Sequence, residues 1–246
     1  MFKSQPETNP SSPAPLPAHK PGSQKAETRA REAAREQILD TAIHLFREGG
    51  FDETTMREVA AKAGVALGLA YYYFPGKEAL VMAYYERVQR EHRIVAHARF
   101  PQARSLSERL AMLLHTKLDI LKDDRKLLGA LFRYTGSPRH PLSFLGRATA
   151  PLRADCMSLY AEALEPERLP DDLRKLLPLA IWGLHMGVLL YFLYDSSPNL
   201  KGTRKLVDSS VALVASFLRL ARLPLLRSAR RSVMAALDEA GLLPEA

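Results

Sequence analysis

Thr54-Thr55-Met56-Arg57-Glu58-Val59-Ala60-Ala61-Lys62-Ala63-Gly64-Val65 runs directly into Ala66-Leu67-Gly68-Leu69-Ala70-Tyr71-Tyr72-Tyr73-Phe74 and then Pro75-Gly76-Lys77-Glu78-Ala79-Leu80. Its opening is a capping box: the Thr55 hydroxyl accepts from the amide of Glu58, whose carboxylate reaches back to the Thr55 amide. A helix therefore starts at Thr55. It is short, because Ala63-Gly64-Val65 interrupts it, and a second short helix follows from Ala66 to about Tyr73. Two brief helices around a glycine turn make a helix-turn-helix. Pro75-Gly76 then breaks the chain before a long helix that opens at Lys77 and runs to about His97.

Upstream, Ile38, Leu39, Ala42, Ile43, Leu45 and Phe46 recur at spacings of three and four, giving one apolar face to a helix from about Thr28 to Glu48. Gly49-Gly50 ends it. Residues 1–26 hold six prolines among Ser, Ala and Thr, with too few apolar side chains to fold alone, and are expected to form a disordered tail. Downstream, Ser105-Leu106-Ser107-Glu108 repeats the capping-box pattern and opens a helix to about Asp124. Further helices fit 125–135, 143–165, 171–194, 202–222 and 226–240, punctuated by prolines. Strand-like alternation is hard to find. The expected fold is all-α, with an N-terminal three-helix helix-turn-helix domain over 27–78 and a larger helical domain over 79–246.

The 246 residues are 47% apolar, ample for a packed core. A net charge of +8 invites a nucleic-acid partner, yet +1 falls in 1–24, +1 in 25–99 and +6 in 100–246. Local placement, not the total, must carry that argument. The basic end of the tail, Lys20 and Lys25 running into Arg29 and Arg31, has the charge to enter a minor groove, against the plainer reading of a solvated tail. Cys156 is the one cysteine and no apolar signal-peptide core opens the chain, which fits a cytoplasmic protein. A Gly-rich phosphate loop, a nucleophile elbow and metal-spaced His or Cys pairs are all missing, and His92 and His97 are five apart, a poor fit to one helical face. The sequence reads as a non-enzyme without cofactor or metal.

From about residue 30 to 85, several positions at fixed spacing closely resemble the N-terminal domain of the tetracycline-repressor-like (TetR) family. The resemblance implies a homodimeric regulator that binds a palindromic double-stranded DNA operator. It also implies release by a small-molecule effector, whose identity the sequence leaves open. Such a protein is a repressor, or an activator where operator position reverses the sign. DNA contacts are implied for Thr55, Arg57, Leu67, Gly68, Leu69, Tyr71, Tyr72 and Lys77. A two-turn recognition helix can enter a major groove about 12 Å wide. Lys77 sits at a helix start, where free amides and the helix dipole favour a phosphate. Tyr73 and Phe74 belong to the hinge and core. The sequence departs from the family pattern of Ser, Thr and Leu at Ala66, Leu69 and Ala70, so a hydroxyl cap worth ~1 kcal/mol is missing from the third helix. Leu67, Gly68 and Leu69 offer no side-chain hydrogen bonds. Apolar contact with thymine methyls is expected there, with hydrogen-bond readout left to Arg57 and the tyrosines.

Beyond about Pro101 only the architecture carries over. Half-sites lie ~34–36 Å apart, so a dimer is required, and the family builds it from its last long helices, here 171–194 and 202–222. Leu176 to Tyr194 is nineteen residues without a formal charge, long enough to span a membrane. A membrane-associated helical protein, with Arg227, Arg230 and Arg231 on a basic final helix, is the competing reading. Pro178, His185 and two glycines favour instead a helix between a ligand cavity and a dimer partner, where Gly183 and Gly187 permit close approach. Pocket candidates are His115, Phe132, Tyr160, Trp182, His185 and Met186, with Tyr134, Met157 and Tyr191 beside them. Arg133 and Arg153 are candidates to pair an acidic ligand, a surface position being the plainer assignment for both.

Overall fold

The computed structural model describes residues 21–137, 139–221 and 224–240, and among these residues there is no strand. Helix α1 (Pro21–Glu48) opens on a proline, whose fixed φ and missing amide suit the first helical position. It starts ahead of Thr28 because Gln24, Lys25, Ala26 and Glu27 are good helix formers. Residues 1–20, most of the expected tail, lie outside the described residues. The α1 stripe of Ile38, Leu39, Ala42, Ile43 and Phe46 is buried. In α2 (Met56–Lys62) the capping box is complete: Thr55 Oγ1 accepts from the Glu58 amide at 3.2 Å, and Glu58 Oε2 accepts from the Thr55 amide at 2.8 Å. Gly64, at φ +66°, then turns the chain through a left-handed conformation that glycine adopts without steric cost. Helix α3 (Leu67–Tyr73) follows with no side-chain cap from Ala66. The Gln37 amide donates to the Ala63 carbonyl at 2.9 Å and pins the turn to α1.

Helix α4 (Lys77–Arg99) leaves this three-helix unit and enters a second bundle made of α5 (Leu106–Leu121), α6 (Arg125–Phe132), α7 (Ala150–Leu164), α8 (Asp171–Tyr194), α9 (Lys201–Ala221) and α10 (Arg227–Glu239). Helix α5 is central. It packs against α4, α7, α8 and α9 and buries Leu110, Leu113, Leu114, Leu118 and Leu121, each worth about 1.5–3 kcal/mol of transfer free energy. Ser105 caps it as expected, but the Glu108 carboxylate takes the Arg104 amide at 2.7 Å rather than that of Ser105, so this box is half formed. The helix expected over 143–165 begins only at Ala150, because Pro151 has no amide to donate and its ring would collide with the Arg147 carbonyl of a longer helix. The segment before it turns instead, held by Thr149 Oγ1 donating to the Ser143 carbonyl at 2.6 Å.

Polar contacts join the two helical units. Arg87 of α4 pairs with Glu36 at 2.9 Å and with Asp40 on α1. Asp124 accepts from Tyr84 Oη of α4 at 2.7 Å and from Arg47 of α1. Asp52 accepts from Tyr134 Oη at 2.6 Å and from Arg133. Asp195 joins α8 to α9 by accepting from the amides of Ser197 (2.8 Å) and Thr203 (2.7 Å) and from Thr203 Oγ1 (2.6 Å).

By length and composition α8 could cross a membrane. In this fold it packs against α6, α7, α9 and α10 and buries Leu177, Ile181, Val188, Leu189 and Phe192. Its opposite face is bare: Ala180, Gly183, Gly187, Leu190, Tyr191 and Tyr194 recur at helical spacing and are exposed, and a Cβ built on either glycine would meet nothing within 4 Å. On α9 a matching exposed stripe holds Leu206, Leu213, Phe217 and Leu220.

Candidate functional site

Helix α3 buries one residue, Ala70, and turns the rest of its apolar surface outward. Leu67 and Leu69 are each 37% exposed, Tyr71 48% and Tyr72 74%. Gly68 has open space beside it, and Arg57 is exposed on the neighbouring α2. Monomers seldom leave two tyrosines and two leucines of a two-turn helix in water, whereas a helix that enters a groove needs that convex face clear. Phe74 is buried beneath it, with the Arg35 guanidinium 5.1 Å over its ring.

Two expected contacts are placed differently. The Thr55 hydroxyl and amide are both engaged by Glu58, so Thr55 sets the start of α2 rather than reaching outward. The Lys77 ammonium donates to the carbonyls of Phe51 at 2.7 Å and Asp52 at 2.9 Å and lies 4.8 Å from the Phe51 ring centre. In the chain by itself that charge braces the loop after α1. Of the basic arm, Lys20 lies outside the described residues, while Arg29 and Arg31 are exposed on α1.

Residues of α4 to α8 line a cavity of about 140 Å³. Phe132, Trp182, His185 and Met186 line it, the last three from one face of α8. Tyr160 lies one layer behind, fully buried, with its hydroxyl 2.8 Å from His185 Nδ1. His115 is elsewhere: two residues before Lys117 on α5, it faces α9 and pairs with Asp208 at 2.8 Å. Tyr134 and Arg133 are held at Asp52, Met157 is half-buried in the core, and Tyr191 is on the bare face of α8. Arg153 does line the cavity, its guanidinium 5.9 Å over the Trp182 ring and donating to the Phe144 carbonyl at 2.8 Å.

Sequence reasoning missed Tyr84, Tyr85 and Gln89 of α4 and Lys117 of α5, all on the cavity wall. A signal for Lys117 existed, since it interrupts the apolar stripe of Leu110, Leu113, Leu114, Leu118 and Leu121. Lys117 is buried, and its ammonium donates to Gln89 Oε1 at 3.0 Å. Burial lowers its pKa. Burial, reinforced by the Lys117 charge, pushes the His92 imidazole down to about 3 and His185 well below its ordinary value, so both rings are neutral near pH 7.

Comparison with known proteins adds sequence and fold relatives. Residues 38–84 match the family described as "Bacterial regulatory proteins, tetR family", and residues 109–234 match "Tetracyclin repressor-like, C-terminal domain". The chain belongs to the TetR family. It is therefore a TetR-family DNA-binding transcriptional regulator, with its helix-turn-helix at the N-terminal end and a helical C-terminal domain behind it. The HTH-type transcriptional repressor KstR of Rhodococcus jostii is 32% identical over 113 residues, 46% of this chain and 52% of that protein. The regulator BetI of Brucella suis is 32% identical over 80 residues, 32% of this chain and 40% of that protein. The chain thus spans about half or less of the length of these curated relatives. The fold is shared more widely. A TetR-family regulator from Syntrophomonas wolfei superposes with a TM-score of 0.61 at 17% identity, over 75% of this chain and 96% of that one. Thermus thermophilus FadR, a TetR-family repressor solved in complex with lauroyl-CoA, gives 0.55 at 23% identity, over 74% and 93%.

Proposed function

We propose that this regulator is a homodimeric repressor that occupies a palindromic operator in the cytoplasm and leaves it when a small molecule fills the cavity. One observation carries the reading. The single helix α4 begins at the hinge below Phe74 and, two turns on, supplies Tyr84, Tyr85 and Gln89 to the cavity wall. A ligand that shifts those side chains moves the helix-turn-helix with them, because Arg87 and Tyr84 bind the same helix to α1 and Asp124. Coupling of ~1–3 kcal/mol, or 5- to 150-fold in operator affinity, is the usual scale for such linkage.

Two further proposals complete it. The bare stripes of α8 and α9 are the dimer surface: exposed Leu190, Leu213, Phe217 and Leu220 gain by burial, and Gly183 and Gly187 let backbones approach. The reading head is Arg57 with Leu67, Gly68, Leu69, Tyr71 and Tyr72, working in a helix-turn-helix unit at about residues 27–78, with the rest of the chain as ligand-binding and dimerisation domain. Repressors occur among the relatives, KstR by name.

The test is operator selection with the purified protein at fixed salt, followed by titration of candidate effectors against the selected duplex. Palindromic half-sites ~34–36 Å apart, one dimer bound and at least fivefold weaker binding with a cavity ligand are the expected results. Sites without two-fold symmetry, or a saturated cavity with unchanged operator affinity, would refute it.

A further inference from the structure

Two unpartnered buried nitrogens and one buried ammonium belong to residues on the cavity wall. Lys117 is 5% exposed, and among the described residues its one hydrogen-bond partner is Gln89 Oε1 at 3.0 Å; no carboxylate forms an ion pair with it. Because Gln89 gives its oxygen to Lys117, its amide nitrogen is left, buried and without a partner. His185 Nε2 is likewise buried and unpartnered. The Tyr160 hydroxyl, fully buried, lies 2.8 Å from His185 Nδ1, the strongest acceptor in reach. With the Tyr160 hydroxyl donating to Nδ1, the proton of the neutral ring is on Nε2, which is then a donor too. Lys117, Gln89 and His185 all line the one cavity, and the Lys117 charge adds to the depression of the His185 pKa.

Buried donors left unmade are costly, and a buried charge without a counter-ion is more so. The remaining wall supplies few acceptors. It is chiefly aromatic and aliphatic, and the other cation on it, Arg153, already donates to the Phe144 carbonyl. A water molecule answers hydrogen bonds but not the charge. An oxyanion answers both.

We propose that the effector is an apolar monocarboxylate, its carboxylate held by Lys117, Gln89 and His185 and its ring or short chain lying among Phe132, Trp182 and Met186. This rests on the cavity being the effector site. The size fits: an apolar cavity of ~150 Å³ takes benzene, and this one is about 140 Å³. A carboxylate satisfies all three donors at once through its two oxygens, and charge-assisted bonds of this kind are the stronger class. Neutral ligands with one carbonyl oxygen leave donors and charge uncompensated.

Trp182, the only tryptophan, is on the cavity wall and reports binding by its fluorescence. The experiment titrates the full-length protein near pH 7 with matched pairs: benzoate against benzamide, and hexanoate and octanoate against their amides. Calorimetry accompanies the fluorescence. At least one acid is expected to bind ten or more times more tightly than its amide. Lys117→Met, which keeps the stem length and removes the charge, should abolish that preference while leaving helical circular dichroism unchanged. Equal affinity of acids and amides, no binding by any acid, or an acid preference retained in Lys117→Met would each overturn the proposal. The acid-to-amide ratio of the unaltered protein decides the matter even if the variant does not fold. Operator affinity is measured separately: acid binding that leaves DNA binding unchanged sinks the effector reading but not the carboxylate site.

Discussion

Arg57 and Lys77 are both basic residues flanking the same short helix, and the fold uses them in opposite ways. Arg57 is exposed on α2, whereas the Lys77 ammonium is held by two carbonyls. Arg57→Ala is therefore expected to lower the slope of log affinity against log salt by about one, with no change in melting temperature. Lys77→Met should do the reverse, costing about 1–2 kcal/mol in urea unfolding while the salt slope stays put. A slope that drops with Lys77→Met would return that residue to the phosphate backbone. Tyr72→Ala, at a 74% exposed position, should weaken operator binding tenfold or more and leave stability within about 0.5 kcal/mol. The capping box at Thr55 and Glu58 was legible because both partners lie within one turn. The assignment of Lys77 was not, since its acceptors at Phe51 and Asp52 come from a loop whose path only tertiary packing sets. His115 failed for the same reason: it and Lys117 sit in one apolar-rich helix, and only the position of Asp208 on α9 says which of them faces the cavity.

Among the elements, the short N-terminal ones could be read from local chemistry and α7 could not. Its expected start ignored Pro151, whose missing amide and ring make a helix continuing ahead of it costly, and the turn that replaces the missing helix depends on Thr149 reaching Ser143. The α8 to α9 corner is equally non-local. There Asp195 accepts two amides and a hydroxyl, and these bonds hold its carboxyl well below the usual range. Asp195→Ala should cost about 2 kcal/mol near pH 7 by leaving the Thr203 and Ser197 donors unmet. Because a depressed folded-state pKa contributes its full stability above the unfolded value and loses it progressively as pH falls toward the folded one, that gap should narrow as pH falls below ~3.9. Urea unfolding of both proteins at about pH 7 and pH 3.5 checks it, and a constant gap would contradict it. The all-helical class itself was legible throughout, from spacings of three and four that need no partner to interpret.

For the molecule as a whole, acid stability is governed by buried imidazoles. His92 titrates at about 3 in the folded protein, first because of burial and then because of Lys117. The unfolded chain protonates it near 6.5. Between those values the unfolded state holds a proton that the folded state refuses. Stability is thus full above ~6.5 and falls by up to about 1.4 kcal/mol per pH unit toward 3 for this group, with His185 shifted in the same direction. Denaturant midpoints at about pH 7.5, 6 and 5 should decline in step, and His92→Gln should flatten the decline. A level profile in the unaltered protein would show that these rings are open to solvent.

The bare stripe of Ala180, Gly183, Gly187 and Leu190 on α8, with Leu213 and Phe217 beyond it on α9, has a consequence for dosage. If two chains must meet on that stripe before either reading head finds its half-site, then below the pairing constant the DNA-competent species grows as the square of chain concentration. Halving the chain concentration, as one doubling of cell volume without synthesis does, would cut it about fourfold. Derepression would then begin with dilution, before any effector arrives, and synthesis rate would set how quickly the operator closes again.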